Sequence, residues 1–402
     1  MAVQQYKYVI VGGGLAGDAA VEGIREIDKD GSILLIGAEA DLPYDRPPLS
    51  KQLWKGDQKI EQIFKHDQHY YSENKVEMCL GAQAVELDAH ARTLQLGDGR
   101  VLGYEKLLLA TGGTPRPLEV PGGDLDGICY FRTLQDYRRL RPEVSAGKCA
   151  LVIGNGFIGS EMAAALCTNG AEVTMVFPGK YICSRVFPEA MGRAISELYI
   201  SKKVKLIPED KVTSIARTGD TWQVQTDKGQ QMSVHIIVAG IGIVPNVSLA
   251  QVAGLSTSDG IEVDEYLRSS DVRIYAAGDV ARFPEVTLGI RRLEHWDAAI
   301  SQGKQAGRNM AGARERYAYM PFFFSDLFEF GYEAVGDCDS RLETFADWQE
   351  VNRTGVIYYL RDERVQGVMT CGIFGKTYDA REIIRTQQIV APSSLVGRIK
   401  GD

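Results

Sequence analysis

Apolar residues in this chain gather into short runs of strand length, and one such run occurs twice. Residues 6–17, YKYVIVGGGLAG, and residues 148–159, KCALVIGNGFIG, share one pattern at an offset of 142 residues. Each is an apolar run that breaks into G-x-G-x-x-G and then turns helical. LAGDAAVEGIREI after the first reads as a helix that leads to the strand SILLIG. SEMAAALCTNG after the second leads in the same way to EVTMVF. Three more apolar runs, in YEKLLLATGGTPRP, VHIIVAGIGIVPN and DVRIYAAGDVARF, read as strands that end in turns of small residues. Towards the C-terminus, GVIYYL and RVQGVM predict a β-hairpin.

The glycine spacing has a physical reason. The first glycine makes a tight turn, the second lets backbone N–H groups approach a pyrophosphate, and the third packs the helix on the strand. Gly12, Gly14 and Gly17, with Leu15 and Ala16 between them, therefore predict one dinucleotide site. Gly154, Gly156 and Gly159, with Phe157 and Ile158, predict another. Glu39 follows Gly17 by 22 residues, where a carboxylate accepts the hydroxyls of an adenosine ribose. The second copy has no such carboxylate, ending in Phe177-Pro178-Gly179-Lys180. The pattern predicts an α/β fold with two Rossmann-like dinucleotide-binding domains. The turns Ala110-Thr111-Gly112, reaching Arg116, and Gly240 to Gly242 mark a second ligand contact for each site. Gly278-Asp279 leaves two readings open, an aspartate capping a helix or one binding the hydroxyls of a ribityl chain.

Composition narrows the function classes. A length of 402 residues predicts two or three domains, and 45% hydrophobic with 24% charged residues is ordinary for a globular protein. The net charge of −8 argues against nucleic acid or an anionic membrane as partner, and no apolar run is long enough for a membrane span. The first strand begins almost at the first residue, so a cytoplasmic protein without a leader is expected. Cys79, Cys129, Cys149, Cys167, Cys183, Cys338 and Cys371 are scattered, without C-x-x-C or a metal-ligand cluster, so no metal is expected.

These motifs resemble the flavoproteins with two dinucleotide-binding domains. LPYDRPPLSK is similar to a loop of the ferredoxin and rubredoxin reductases that serve oxygenases. IRRLEHWDAA and FFFSDLFEFGYEAVGD are similar to apoptosis-inducing factor, and VTMVFP, SRVF and PFFFS to monodehydroascorbate reductase. The resemblance implies a glutathione-reductase-like fold with FAD in the first domain and NADH or NADPH in the second. It places the FAD domain at residues 1–116 and 247–320, the NAD(P)H domain at 117–246, and an α+β C-terminal domain at 321–402. It also implies that Arg46 lies near the pyrophosphate, and that Lys51 lies near the reactive edge of the flavin, paired with Glu161. Val85, Glu294, His295 and Trp296 are carried as flavin contacts. Phe324 stands where relatives have Trp or Tyr over the nicotinamide, although a lone Phe there reads as core. Gly179 stands where relatives often have glutamate, so both nucleotides are expected to be accepted, with Lys180 and Arg185 available to a 2′-phosphate. In DLPYDRPPLSK, Pro43, Pro47 and Pro48 predict a stiff loop whose pre-proline residues are extended, neither helix nor central strand.

The expected activity is an NAD(P)H oxidoreductase: hydride passes to FAD, then electrons pass to an acceptor such as a small iron–sulfur protein, a quinone or the monodehydroascorbate radical. No cysteine pair supports a disulfide relay. Arg138, Arg139, Arg141, Arg291 and Arg292 are candidate docking groups for an acidic ferredoxin. A redox-sensing protein with slow turnover is the rival reading, and the protein is expected as a monomer or homodimer.

Overall fold

The computed structural model describes residues 3–401, which divide into two compact units. The first gathers Met1–Asp45, Ile60–Thr114 and Val244–Phe322. Its sheet sets Val76–Leu80, Ile33–Gly37, Gln4–Val11 and Val101–Leu109 side by side, all parallel, and Ile274–Ala276 runs parallel along Leu107–Leu109. The opening half of Val101–Leu109 pairs instead with the antiparallel ribbon Thr93–Leu96 and Ala84–Asp88. Parallel strands covered on both faces need unbroken apolar runs. Ile33–Gly37 is buried at every position and Gln4–Val11 from Tyr8 onward.

Two helices of this unit, Leu15–Ile27 and Trp296–Met310, lie backbone to backbone. A Cβ on Gly303 would sit 2.2 Å from the carbonyl oxygen of Ala16, one on Gly307 2.2 Å from that of Ala20, and one on Gly23 2.0 Å from that of Lys304. The alternation of Ala and Gly along both helices is therefore a packing requirement, since any larger side chain would push the axes apart.

The second unit gathers Arg46–Lys59, Pro115–Ile243 and Phe323–Asp402. It holds a parallel sheet in the order Lys205–Pro208, Glu172–Phe177, Cys149–Ile153, Ile236–Ala239, with the helices Phe157–Thr168 and Glu189–Ser201. A five-stranded antiparallel sheet runs Phe322–Leu327, Phe330–Gly336, Arg364–Cys371, Thr354–Arg361, Glu343–Glu350, with the helix Thr377–Thr386 alongside. The predicted hairpin forms, Gly355 opposite Cys371 and Arg361 opposite Arg364, and it is the middle of that sheet. Two Rossmann-like sheets and a C-terminal sheet domain are thus present in one chain.

Candidate functional site

In the first unit the strand Gln4–Val11 ends at Gly12, whose φ is +131°. A Cβ there would lie 2.1 Å from the carbonyl oxygen of Ala110, and one on Gly17 would lie 2.0 Å from that of Gly12. Both positions are closed to side chains by backbone. Gly14 is the opposite case: it precedes the helix Leu15–Ile27 without a side-chain cap, and a Cβ on it would meet nothing within 4 Å. The opening amides of that helix, including those of Leu15 and Ala16, have no intrahelical acceptor. The second unit repeats this at Gly154 (φ +111°), Gly159 and Gly156, where Gly156 again faces open space ahead of Phe157–Thr168.

Glu39 lies just beyond the strand Ile33–Gly37, where its carboxylate takes a 2.6 Å hydrogen bond from the Tyr44 hydroxyl. The Ala110–Gly112 turn is laced to Asn246: Thr111 Oγ1 donates to the Asn246 carbonyl at 2.7 Å, and Asn246 Nδ2 donates to that of Thr111 at 2.9 Å. Gly278 donates its N–H to Oε1 of Gln302, a side chain only 1% exposed that sequence reasoning missed. Asp279 does not open a helix of its own, because the chain continues into the strand Ala281–Glu285. His295 is the residue before the helix Trp296–Met310, and Trp296 Nε1 donates to Asp45 at 2.7 Å. The His295 imidazole is half-buried. That burial pushes its pKa down to about 4, against a pull upward from Asp279. Glu294 is exposed, and Val85, in Ala84–Asp88, is 48% exposed.

The proline loop departs from expectation. Arg46, before Pro47, is helical (φ −78°, ψ −34°), and Pro47–Ser50 forms a 3₁₀ turn followed by the short helix Gln52–Lys55. The prolines occupy the first positions of that turn, where a missing N–H costs nothing and a fixed φ suits the helix. Arg46 reaches the Arg132 carbonyl at 2.7 Å.

The turn delivers Lys51 into the interior of the second unit. Lys51 Nζ lies 2.9 Å from Glu161 Oε1, with the two side chains 4% and 5% exposed. Glu161 lies in the first turns of Phe157–Thr168, the helix that follows the second glycine turn. Its carboxylate also accepts from Ser50 Oγ at 2.5 Å and from Ser325 Oγ at 2.6 Å. Phe324 is half-buried, not core, and the Lys51 ammonium sits 4.4 Å from its ring centroid. Ser50 and Ser325 went unpredicted, although each adjoins a residue that was singled out: one hydroxyl precedes Lys51 and the other follows Phe324. A desolvated ion pair holds its geometry only when such extra hydrogen bonds satisfy it.

Past Glu172–Phe177 the loop places Lys180 and Arg185 in solvent. Gly179 is tightly enclosed: a Cβ would lie 2.3 Å from Ser184 Oγ and 2.5 Å from Asn155 Nδ2. Gly240 and Gly242 end the neighbouring strand region, and Gly242 O accepts from Arg116 N at 2.9 Å. The arginines proposed for docking are unequal. Arg139 pairs with Asp136 at 2.9 Å, Arg141 stacks toward Trp54 at 5.5 Å, and Arg291 donates to the Leu288 carbonyl at 2.6 Å. Arg292 is withdrawn as a docking group, because its side chain is 9% exposed and tied to Asp259 and Glu294. All seven cysteines are free thiols. Among the described residues no helix is long and apolar enough to cross a membrane.

Comparison with known proteins agrees with this geometry. Residues 6–303 match the pyridine nucleotide-disulphide oxidoreductase family, and residues 306–354 match the C-terminal region of mitochondrion-associated apoptosis-inducing factor. The chain belongs to the pyridine nucleotide-disulphide oxidoreductase family. It is an FAD-dependent NAD(P)H oxidoreductase that passes electrons on to an acceptor. It is 37% identical, over 82% of its length and 81% of the relative's, to the ferredoxin–NAD(+) reductase component of the anthranilate 1,2-dioxygenase system of Burkholderia cepacia. It is 32% identical to mitochondrial apoptosis-inducing factor 1 of Dictyostelium discoideum, over 96% of this chain and 80% of that one. The reductase in the crystal structure of the covalent putidaredoxin reductase–putidaredoxin complex superposes with a TM-score of 0.89 at 30% identity, covering 97% of this chain and 95% of that one.

Proposed function

We propose that the first glycine turn, with Glu39, Ala110–Gly112, Asp279, His295 and Trp296, holds FAD, and that the second, with Lys180 and Arg185, holds NADH or NADPH. The fit rests on shape. Gly12 and Gly17 are closed by backbone, whereas a Cβ on Gly14 or Gly156 would meet nothing within 4 Å ahead of an uncapped helix, the clearance a pyrophosphate requires. When bound, FAD supplies the chemistry of taking a hydride and giving up electrons. The protein supplies orientation, fixed positive charge and exclusion of water. Arg46 and Lys51 bring the charge, and Val85, Arg116, Glu294, Gly240, Gly242 and Phe324 complete the cofactor surfaces. The domain division at residues 117, 247 and 321 belongs to the same reading.

The observation that carries it is the buried Lys51–Glu161 pair, because an ammonium 4% exposed and hydrogen-bonded to a carboxylate is a costly placement for a purely structural group. Anaerobic mixing with NADH or NADPH tests it. Lys51→Ala is expected to slow flavin reduction by roughly ten- to a thousandfold, the span of a single preorganised electrostatic group, while FAD stays bound. A wild-type rate in that variant would remove the role given to Lys51.

The acceptor we favour is a small iron–sulfur protein in the cytoplasm, with Arg138, Arg139 and Arg141 as its contact; it rests on the match to the dioxygenase-system reductase. A redox-sensing role is the second reading, favoured by the match of residues 306–354. Turnover with a panel of one- and two-electron acceptors separates them: an enzyme passes many electrons per second, a sensor very few.

A further inference from the structure

A cavity of about 30 Å³ adjoins the Lys51–Glu161 pair. A water needs roughly 10–15 Å³ and two or more polar partners, so the space has room for about two. Its walls grade from interior to surface. Lys51, Glu161, Ala164 and Ala165 on its lining are buried, Asp326 is half-buried, and Thr168 and Lys55 are exposed. Asn169, also on the wall, spends its amide on the carbonyls of Trp54 at 3.0 Å and Ala165 at 2.9 Å, and so braces the passage. An ammonium has three N–H donors. Glu161 takes one, and the Phe324 ring faces the group on another side. A pair kept only for packing needs no water-sized space beside it, and small side chains at 164 and 165 leave one open.

The reaction must dispose of a proton. One NAD(P)H and two one-electron acceptors give NAD(P)⁺, two reduced acceptors and one H⁺. We propose that this cavity is the proton exit, with Lys51 handing the proton to cavity water and Asp326 and Thr168 standing at the outlet. The proposal rests on the role given to Lys51 above. The ammonium first gives one N–H proton to the water beside it, and the lone pair this leaves on the amine then takes the arriving proton. Lys51 therefore ends each turnover as an ammonium, with the charge of Glu161 unchanged.

The test fills the passage without touching the pair. Holoenzyme reduced by NADH is mixed with ferricyanide, a one-electron acceptor, in weakly buffered solution containing a pH-indicator dye, in H₂O and in D₂O. Ala164→Leu is expected to slow proton release by about a hundredfold, the low end of what positioned proton transfer contributes, and to enlarge the isotope ratio of that phase. Anaerobic reduction by NADH stays at the wild-type rate. Proton release at the wild-type rate, with an unaltered isotope ratio, overturns the proposal. If Ala164→Leu does not accumulate as folded flavoprotein, Thr168→Trp plugs the exposed mouth and is judged by the same two traces. The two readings fail separately: an unslowed hydride step in Lys51→Ala sinks the role of Lys51, and an unslowed proton trace in the filled variants sinks only the passage.

Discussion

Glu161→Gln keeps the shape of its side chain and removes its charge, leaving the Lys51 ammonium, 4% exposed, without an anion at 2.9 Å. Breaking a buried ion pair from one side costs about 3–5 kcal/mol, because the remaining charge stays desolvated. Here the low end, about 3 kcal/mol, is expected, since the glutamine oxygen still accepts from Ser50, Ser325 or the ammonium itself. Lys51→Met leaves the carboxylate with two hydroxyl donors, at 2.5 and 2.6 Å, and should cost less than Glu161→Gln. The double variant carries neither buried charge, so its loss should fall short of the sum of the single losses by about 2–3 kcal/mol. Urea unfolding monitored by tryptophan fluorescence measures the cycle, and Trp54, edge-on to Tyr137 with ring centroids 5.4 Å apart, is a nearby probe. A coupling energy under about 0.5 kcal/mol, the size of an exposed pair, would falsify the view that these two charges lock one another in place.

Other consequences are as definite. Gly12→Ala meets the Ala110 carbonyl at φ +131° and should abolish FAD retention or folding; a soluble yellow variant would refute the turn's role. The His295 imidazole titrates near 6.5 when unfolded and about 4 when folded, so the unfolded state binds more protons between those values. Stability of the apoprotein should therefore fall as pH drops from about 6.5 to 4, by at most about 3 kcal/mol, and His295→Gln should flatten that slope in acid-dependent melting curves. The protein should accept NADH and NADPH with modest discrimination in kcat/KM. Gly179→Glu alone must displace both Ser184 and Asn155, so the carboxylate that favours NADH should work better when Ser184→Gly removes one of the two obstacles. A rejection of NADPH by several orders of magnitude in the parent protein would mean that another group reads the ribose.

Much of the fold was legible because parallel strands advertise themselves. YKYVIV and ALVI are unbroken apolar runs, and the glycines after them are dictated by backbone contacts only a residue without Cβ can make. The hairpin at Thr354–Arg361 and Arg364–Cys371 was equally plain. The site was legible at its charges and not at its hydroxyls. A lysine or glutamate stands out in a sequence, whereas serines such as Ser50 and Ser325 acquire meaning only when the fold sets them beside a carboxylate 111 and 164 residues away. The proline loop misled because proline restrains two opposite outcomes, an extended partner before it or the start of a helical turn. The burial of Leu49 and Ser50 selected the turn.

The helix pair joined through Gly23, Gly303 and Gly307 also has a history in time. Its second member follows its first by more than 250 residues, and the strand Ile274–Ala276 that extends the parallel sheet arrives almost as late. On the ribosome, the first unit therefore begins but cannot close. Residues 115–243 emerge and can form their own parallel sheet while Val101–Leu109 still waits for its last partner and Ala16 and Ala20 still face water. The earliest segment to be made is among the last to be finished. During synthesis the exposed strand edge and the bare Ala–Gly face are the surfaces a chaperone would have to guard.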